Sequence, residues 1–195
     1  NHGYSRNNIP KPSPGVGGPC LVKDSYLLKY NFDNLKIGNK LLDSSRKVNE
    51  KTIVFLYSKI NKLLKKIGKN INNSKIFIIG LAFKGNPETS DLRDSTSIDL
   101  INKIKNKKNL YVYDPVIDKR VINNLGYKYQ TLEKGFSKSD IVIFLNNHKS
   151  YQELNIFHLI KKMNKPGIII DTWKIFNPIE IKNIKNVLYG GLGFD

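Results

Sequence analysis

Cys20 is the chain's single cysteine. It follows Pro12-Ser13-Pro14-Gly15-Val16-Gly17-Gly18-Pro19 and precedes Leu21-Val22-Lys23-Asp24. Glycines allow backbone angles and close approach that other residues forbid. The stretch therefore reads as a shaped loop that delivers a sulfur atom to the start of a helix. A thiol near a helix N-terminus, with Lys23 close in sequence, has its thiolate favoured. Asp24 lies four residues on, one helical turn away, and shares a face with Cys20. A thiolate beside a carboxylate suits covalent catalysis on an aldehyde, the carboxylate or a water completing the step. A lone cysteine is also commonly a small buried hydrophobe. On its residues alone, Cys20 stands open between the two readings.

A second constellation runs Gly80-Leu81-Ala82-Phe83-Lys84-Gly85-Asn86-Pro87-Glu88-Thr89-Ser90-Asp91-Leu92-Arg93-Asp94-Ser95. It follows an apolar run and precedes a helical one, in the position of a phosphate-binding loop. It lacks the second and third glycines of a dinucleotide fingerprint. Lys84 and Arg93 suit an anionic ligand, or are ordinary loop charges. Asp94 and Ser95 can cap the helix that follows. Asp114-Pro115 reads as a turn. Trp173-Lys174 either lines a cleft or sets Trp173 into the core. His148 and His158 have no metal-ligand partner at useful spacing and read as surface residues, so no metal site is expected.

These residues need elements to position them. Residues 1–19 read as loop. Helical spacing runs from about Leu21 to Leu35, and Gly38-Asn39 break it. A longer helix is predicted over 40–67, ended by Gly68 with Lys62, Lys65 and Lys66 in its last turns. A helix of that length is a structural spine or a dimer surface more often than a site. Residues 68–74 form a polar linker. Short apolar runs then alternate with helical ones. Strands are predicted over 75–80, 109–113, 127–130, 140–145, 166–171 and 186–189. Helices are predicted over 94–105, 116–125, 148–163 and 178–182. Such alternation specifies an α/β fold: a helical segment over 1–73, then a doubly wound, mostly parallel, Rossmann-like sheet domain over 74–195. Ligands of such sheets sit at the carboxyl ends of the strands.

Composition narrows the partners. The 195 residues carry a formal net charge of +17. The lysines are scattered among Asn and Ile, as in Lys105-Asn106-Lys107-Lys108-Asn109, and aromatic residues do not interleave with them as a stacking platform requires. An anionic small molecule satisfies that charge more economically than nucleic acid. No apolar run approaches the roughly 20 residues of a membrane span, and no signal peptide is visible. A single cysteine forms no internal disulfide, which fits a reducing, cytoplasmic compartment. The chain opens without Met, in polar residues just ahead of the glycine loop, and is expected to be the C-terminal part of something longer.

Taken together, PSPGVGGPCLVKD, GLAFKGNPETSDLRDS and the YDP after the second strand resemble the UDP-glucose/GDP-mannose dehydrogenase family, in the expected order and from end to end of the chain. PGVGGPC with YSRNNI upstream is closest to the branch acting on UDP-N-acetylhexosamines such as UDP-N-acetyl-D-mannosamine. The resemblance implies oxidation of a sugar C6 hydroxyl to a carboxylate in two NAD-dependent steps. Cys20 would capture the aldehyde as a thiohemiacetal, which is oxidised to a thioester and hydrolysed. Asp24 would assist water or the proton transfers. Lys23 would lie near the nicotinamide, and Arg93 would contact NAD. Pro14, Gly15, Val16 and Gly17 would pack against the sugar, with Arg6 reaching it from a neighbouring subunit, and Phe83 and Lys84 would contact the nucleotide sugar. Helix 40–67 would form a homodimer, and 74–195 would bind the UDP-sugar. Many members carry an arginine where Trp173-Lys174 stands. The family's N-terminal NAD-binding domain and its catalytic glutamate fall outside this sequence, so the chain alone is not expected to reduce NAD. The alternative is an inactive, truncated or split module that only binds a nucleotide sugar or a partner subunit.

Overall fold

Residues 12–35 and 40–194 are described by the structure, a computed structural model. Two helices come first, α1 (Pro19–Asn34) and α2 (Lys40–Lys66). The sheet follows as β1 (Ile76–Ile79), β2 (Leu110–Tyr113), β3 (Lys128–Tyr129), β4 (Ile141–Phe144), β5 (Gly167–Asp171) and β6 (Val187–Gly190). Between them lie α3 (Thr96–Lys103), α4 (Lys119–Asn124), α5 (Leu132–Phe136), α6 (Ile156–Lys161) and α7 (Pro178–Lys182).

The six strands form one sheet in the order β3-β2-β1-β4-β5-β6, and every pairing is parallel. This is the doubly wound Rossmann order, with its topological switch between β1 and β4. The central strands are buried on both faces, so they read as unbroken apolar runs. Alternate residues serve different layers. Ile76, Ile78, Ile141 and Ile143 face a core completed by α2 and α3. Phe77, Ile79, Val142 and Phe144 face the opposite one, completed by α5 and α6. α2 enters the first core through Ile53, Leu56, Ile60, Leu63 and Leu64. It is thus fixed to the sheet over its second half.

α1 contrasts with α2, because none of its residues is buried. Polar contacts hold it to α2: Tyr26 Oη donates to the Glu50 carboxylate, Arg46 lies over the Tyr26 ring, and Lys29 bridges Asp33 and Asp43. Among the described residues, no helix is long and apolar enough to cross a membrane.

Two predicted elements change, and one element is new. The first helix starts two residues early, at Pro19, whose fixed φ and missing N–H suit a first turn. The helix predicted over 148–163 is two pieces, a 3₁₀ turn at Lys149–Glu153 and α6. Asn155 divides them, its side chain accepting from His158 N–H as the cap of α6. Residues 132–136 form α5, which was not expected. Gly135, its fourth residue, lies against the Phe77 ring, where no Cβ fits.

Candidate active site

The cysteine loop lands on the loop after β1. Gly18 N–H donates to Asp94 O at 3.2 Å, and a Cβ on Gly18 would come within 2.7 Å of the Phe83 ring. A Cβ on Gly17 would collide with the Asp94 carbonyl. Gly18 itself sits at φ 91, before Pro19 turns the chain into α1. Cys20 is the second residue of α1 and is exposed. No side chain caps the first turn, so its N–H groups and the helix dipole face the thiol's surroundings. Asp24 is exposed one turn on, with Lys23 Nζ 3.7 Å from its carboxylate.

The loop after β1 is a closed structure of its own. Phe83 N–H donates to Asp91 O at 3.1 Å, and Lys84 Nζ lies 5.3 Å from the Phe83 ring centre. Arg93 grips Asp91 through Nε and Nη2 and through its own backbone N–H. Those bonds pull the Asp91 carboxyl down to about 2. In return the Asp91 carboxylate holds the Arg93 guanidinium more firmly protonated. Of the pair Asp94 and Ser95, it is Ser95 that caps α3, accepting from Ser97 N–H. Asp94 adopts φ 50 and turns its carbonyl toward the cysteine loop.

The carboxyl ends of the strands are tied by three buried side chains. Asp114, after β2, accepts from the N–H groups of Leu81, Ala82 and Val116 at 2.7–3.1 Å. Asn146, after β4, donates to that carboxylate and lies against Gly80. Asp171, closing β5, accepts from the N–H groups of Trp173, Ile175 and Phe176 and from Tyr189 Oη. Burial raises its pKa, and these donors offset part of the rise. A cleft of about 730 Å³ opens beside them, lined in part by Ser13, Asn86, His148, Lys149, Trp173 and Lys174. Its volume lies within the range of small-molecule sites, about 300–1,000 Å³. Ser13 and Asn86 give the cysteine loop and the β1 loop a common wall in it.

Comparison with known proteins agrees with this architecture. Residues 77–178 match the description "UDP-glucose/GDP-mannose dehydrogenase family, UDP binding domain", and residues 2–51 match the central domain of the same family. The chain belongs to the UDP-glucose/GDP-mannose dehydrogenase family. It is 33% identical over 179 residues to a UDP-N-acetyl-D-mannosamine dehydrogenase of Methanococcus vannielii, covering 89% of this chain and 38% of that protein. A Campylobacter jejuni protein of the same name is 31% identical over 156 residues, covering 77% of this chain and 36% of its own. Among solved structures, the UDP-D-ManNAc dehydrogenase of Pyrococcus horikoshii matches with a TM-score of 0.78 at 27% identity, over 97% of this chain and 41% of that one. The NDP-N-acetyl-D-galactosaminuronic acid dehydrogenase of Methanosarcina mazei matches with 0.82 at 25% identity, over 96% and 40%. The chain therefore spans about two fifths of the length of these members of the UDP-glucose/GDP-mannose dehydrogenase family.

Within this family member, the structure brings Gly17, Gly18, Phe83 and Asp94 into contact. Arg6 lies outside the described residues. His148 departs from its surface reading. Its side chain is only 12% exposed, with Nε2 3.0 Å from Glu88 and Nδ1 accepting from Ser150 N–H. An acceptor at Nδ1 places the proton of a neutral imidazole on Nε2, so His148 donates to Glu88. Trp173 follows the cleft reading: it is half-buried, lines the cleft and belongs to neither hydrophobic core, and its indole N–H donates to Leu145 O at 3.0 Å. Asp114 and Asp171 gave no signal beyond an acidic residue ending a buried strand. Asn49 gave none at all, yet its amide makes two bonds to the cysteine loop.

Proposed function

We propose that this chain carries the catalytic thiol, the dimer helices and the sugar-nucleotide domain of a nucleotide-sugar 6-dehydrogenase, the helices lying within 1–73 and the nucleotide domain within 74–195. The observation that carries the reading is the seating of Gly17 and Gly18 on Asp94 and Phe83, which sets an exposed Cys20 at the rim of the sheet's ligand edge. UDP occupies the 730 Å³ cleft, where Lys149 and Lys174 offset the charge of a diphosphate. The sugar extends past Phe83 and Lys84 toward Pro14–Gly17. The names of the relatives favour a UDP-N-acetylhexosamine.

The nicotinamide dinucleotide does not fit the crevice between β1 and β4 of this sheet. Gly80 abuts Asn146 there and Gly85 abuts the His148 backbone. Lys23 and Arg93 fit the outer edge of a dinucleotide site, as exposed cations on the Cys20 side. When bound, NAD supplies the hydride acceptor for each oxidation. The chain's own residues handle sulfur and protons. Cys20 thiolate adds to the C6 aldehyde carbon, and the carbonyl electron pair moves to oxygen, which takes up a proton. At release, water adds to the acyl carbon, the carbon–sulfur bond breaks, and the thiolate returns to Cys20. Asp24, one turn away, accepts the proton from that water.

α2 is the proposed homodimer helix. Leu41, Val48 and Phe55 repeat every seven residues on its outer side and are 85%, 69% and 59% exposed. An exposed apolar stripe at heptad spacing is what a helix–helix seam requires.

The test of the site is affinity labelling. A UDP-sugar analogue with an electrophile at C6 should alkylate Cys20 with saturation kinetics, and UDP should protect it. Labelling that neither saturates nor responds to UDP would remove Cys20 from the mechanism. The chain by itself is expected to bind UDP and to give no NAD reduction with UDP-sugars; NAD turnover would refute that part.

A further inference from the structure

A second cleft, of about 510 Å³, lies between α1, α2 and α3, and Val16, Tyr26, Arg46, Asn49, Glu50 and Asp94 line part of it. At its rim Asn49 makes both of the bonds that an amide can make to one residue. Val16 N–H donates to Asn49 Oδ1 at 2.7 Å, and Asn49 Nδ2 donates to Val16 O at 3.1 Å. The side chain therefore pairs with the loop as a neighbouring strand would. Val16 lies between Gly15, at φ 116 and in contact with Asn49, and Gly17, pressed on Asp94.

We infer that Asn49 is a positioning residue for Cys20. α1 buries none of its residues, so the location of the thiol depends on what holds the chain on either side of it. One turn of α2 does both. Asn49 fixes Val16 before the cysteine, and Arg46 with Glu50 fixes Tyr26 after it. The next turns of α2, through Ile53, Leu56 and Ile60, are packed on the sheet. Asn49 thus ties the thiol's position to the sheet whose carboxyl edge forms the ligand cleft. Its effect belongs to the orientation of the nucleophile and not to ligand affinity.

The consequence for labelling rests on the proposed role of Cys20; the anchor itself is testable without it. In an Asn49→Ala variant both bonds are lost while α2 gains a better helix former. Hydrogen exchange of the Val16 amide should accelerate at least about tenfold, while amides of β1 and β4 stay as protected as before. With the C6-electrophilic UDP analogue, the maximal labelling rate kinact should fall about tenfold, and KI should stay within about twofold. Unchanged Val16 exchange, or an unchanged kinact, overturns the inference. Wild-type protein that is not labelled at all overturns the proposed function and leaves the exchange test standing. Should the alanine variant lose sheet protection, Asn49→Asp decides. It keeps the acceptor but sets an oxygen against Val16 O, so Val16 protection should drop at neutral pH. Protection should return in acid, where a protonated carboxyl again offers one donor and one acceptor. Protection that is the same at both pH values refutes the anchor.

Discussion

A methyl group at Gly17 has no room because the Asp94 carbonyl occupies its place. Asp94 holds φ 50, a region that costs a non-glycine residue about 1–2 kcal/mol. The strain directs its carbonyl to Gly18 N–H, so the absent side chain and the strained backbone serve one contact. Gly17→Ala should lift the loop and lower saturable Cys20 labelling at least about tenfold, with a small change in Tm. Gly68→Ala is the control. It lies at φ 70 with nothing within 4 Å of a new Cβ, so it should cost stability of about 1 kcal/mol and leave labelling alone. Equal labelling losses in the two variants would refute the contact. Asp91 is depressed from 3.8 to about 2 by the Arg93 bonds. A depressed folded-state value stabilises the folded form above the ordinary carboxylate value and loses that support as pH falls toward 2. In Arg93→Met the Asp91 carboxyl, followed by NMR, should titrate well above 2 but still below 3.8, because the backbone N–H of residue 93 keeps donating to it; a midpoint still near 2 would mean that the guanidinium is not what holds it.

The two long helices bear on assembly. α2 buries one face on the sheet and turns Leu41, Val48 and Phe55 outward. Val48→Glu with Phe55→Glu should convert the proposed dimer to a monomer in sedimentation experiments while far-UV circular dichroism stays constant; an unchanged sedimentation coefficient would refute the α2 seam. The strands and α2 were legible in the sequence because their burial leaves a period: unbroken apolar runs for β1, β4 and β5, and three-or-four spacing over 53–64. The 148–163 stretch misled for a physical reason. Tyr151, Leu154, Ile156, Leu159 and Ile160 imitate helical spacing, but the Asn155 side chain accepts from His158 N–H and its carbonyl from Leu159 N–H, which starts a new helix instead of continuing one. α5 was hidden because Gly135, a helix breaker by propensity, is there to let α5 approach Phe77. The Cys20 loop and the 80–95 loop were visible through their glycines and charges. Asn49 was not, since a polar residue on an exposed helix turn looks the same whether or not a loop from elsewhere in the chain returns to meet it.

Across the whole molecule, the ligand edge is held by acidic and amide side chains at strand ends more than by its loops' own sequence. Asp114, Asn146 and Asp171 follow or close β2, β4 and β5: Asp114 and Asp171 accept from the N–H groups of loops at the strand ends, and Asn146 donates to the Asp114 carboxylate and to Ala82 O. Asp114 links the β1 loop to the β2 loop and so supports the platform on which the cysteine loop rests. Losing its carboxylate orphans the N–H groups of Leu81 and Ala82, both in buried residues. Each orphaned group costs about 1–3 kcal/mol. A chain of this size loses about 2–4 °C of Tm per kcal/mol. Asp114→Ala should therefore lower Tm by about 10 °C and weaken UDP binding, as the β1 loop loosens. Asp118→Ala gives the scale for an ordinary cap. Its carboxylate accepts from Arg120 N–H at the exposed start of α4, a contact worth about 1 kcal/mol, so its Tm should fall by only a few degrees. If calorimetry finds the two variants equally stable, the strand-end aspartate is not what holds the edge together.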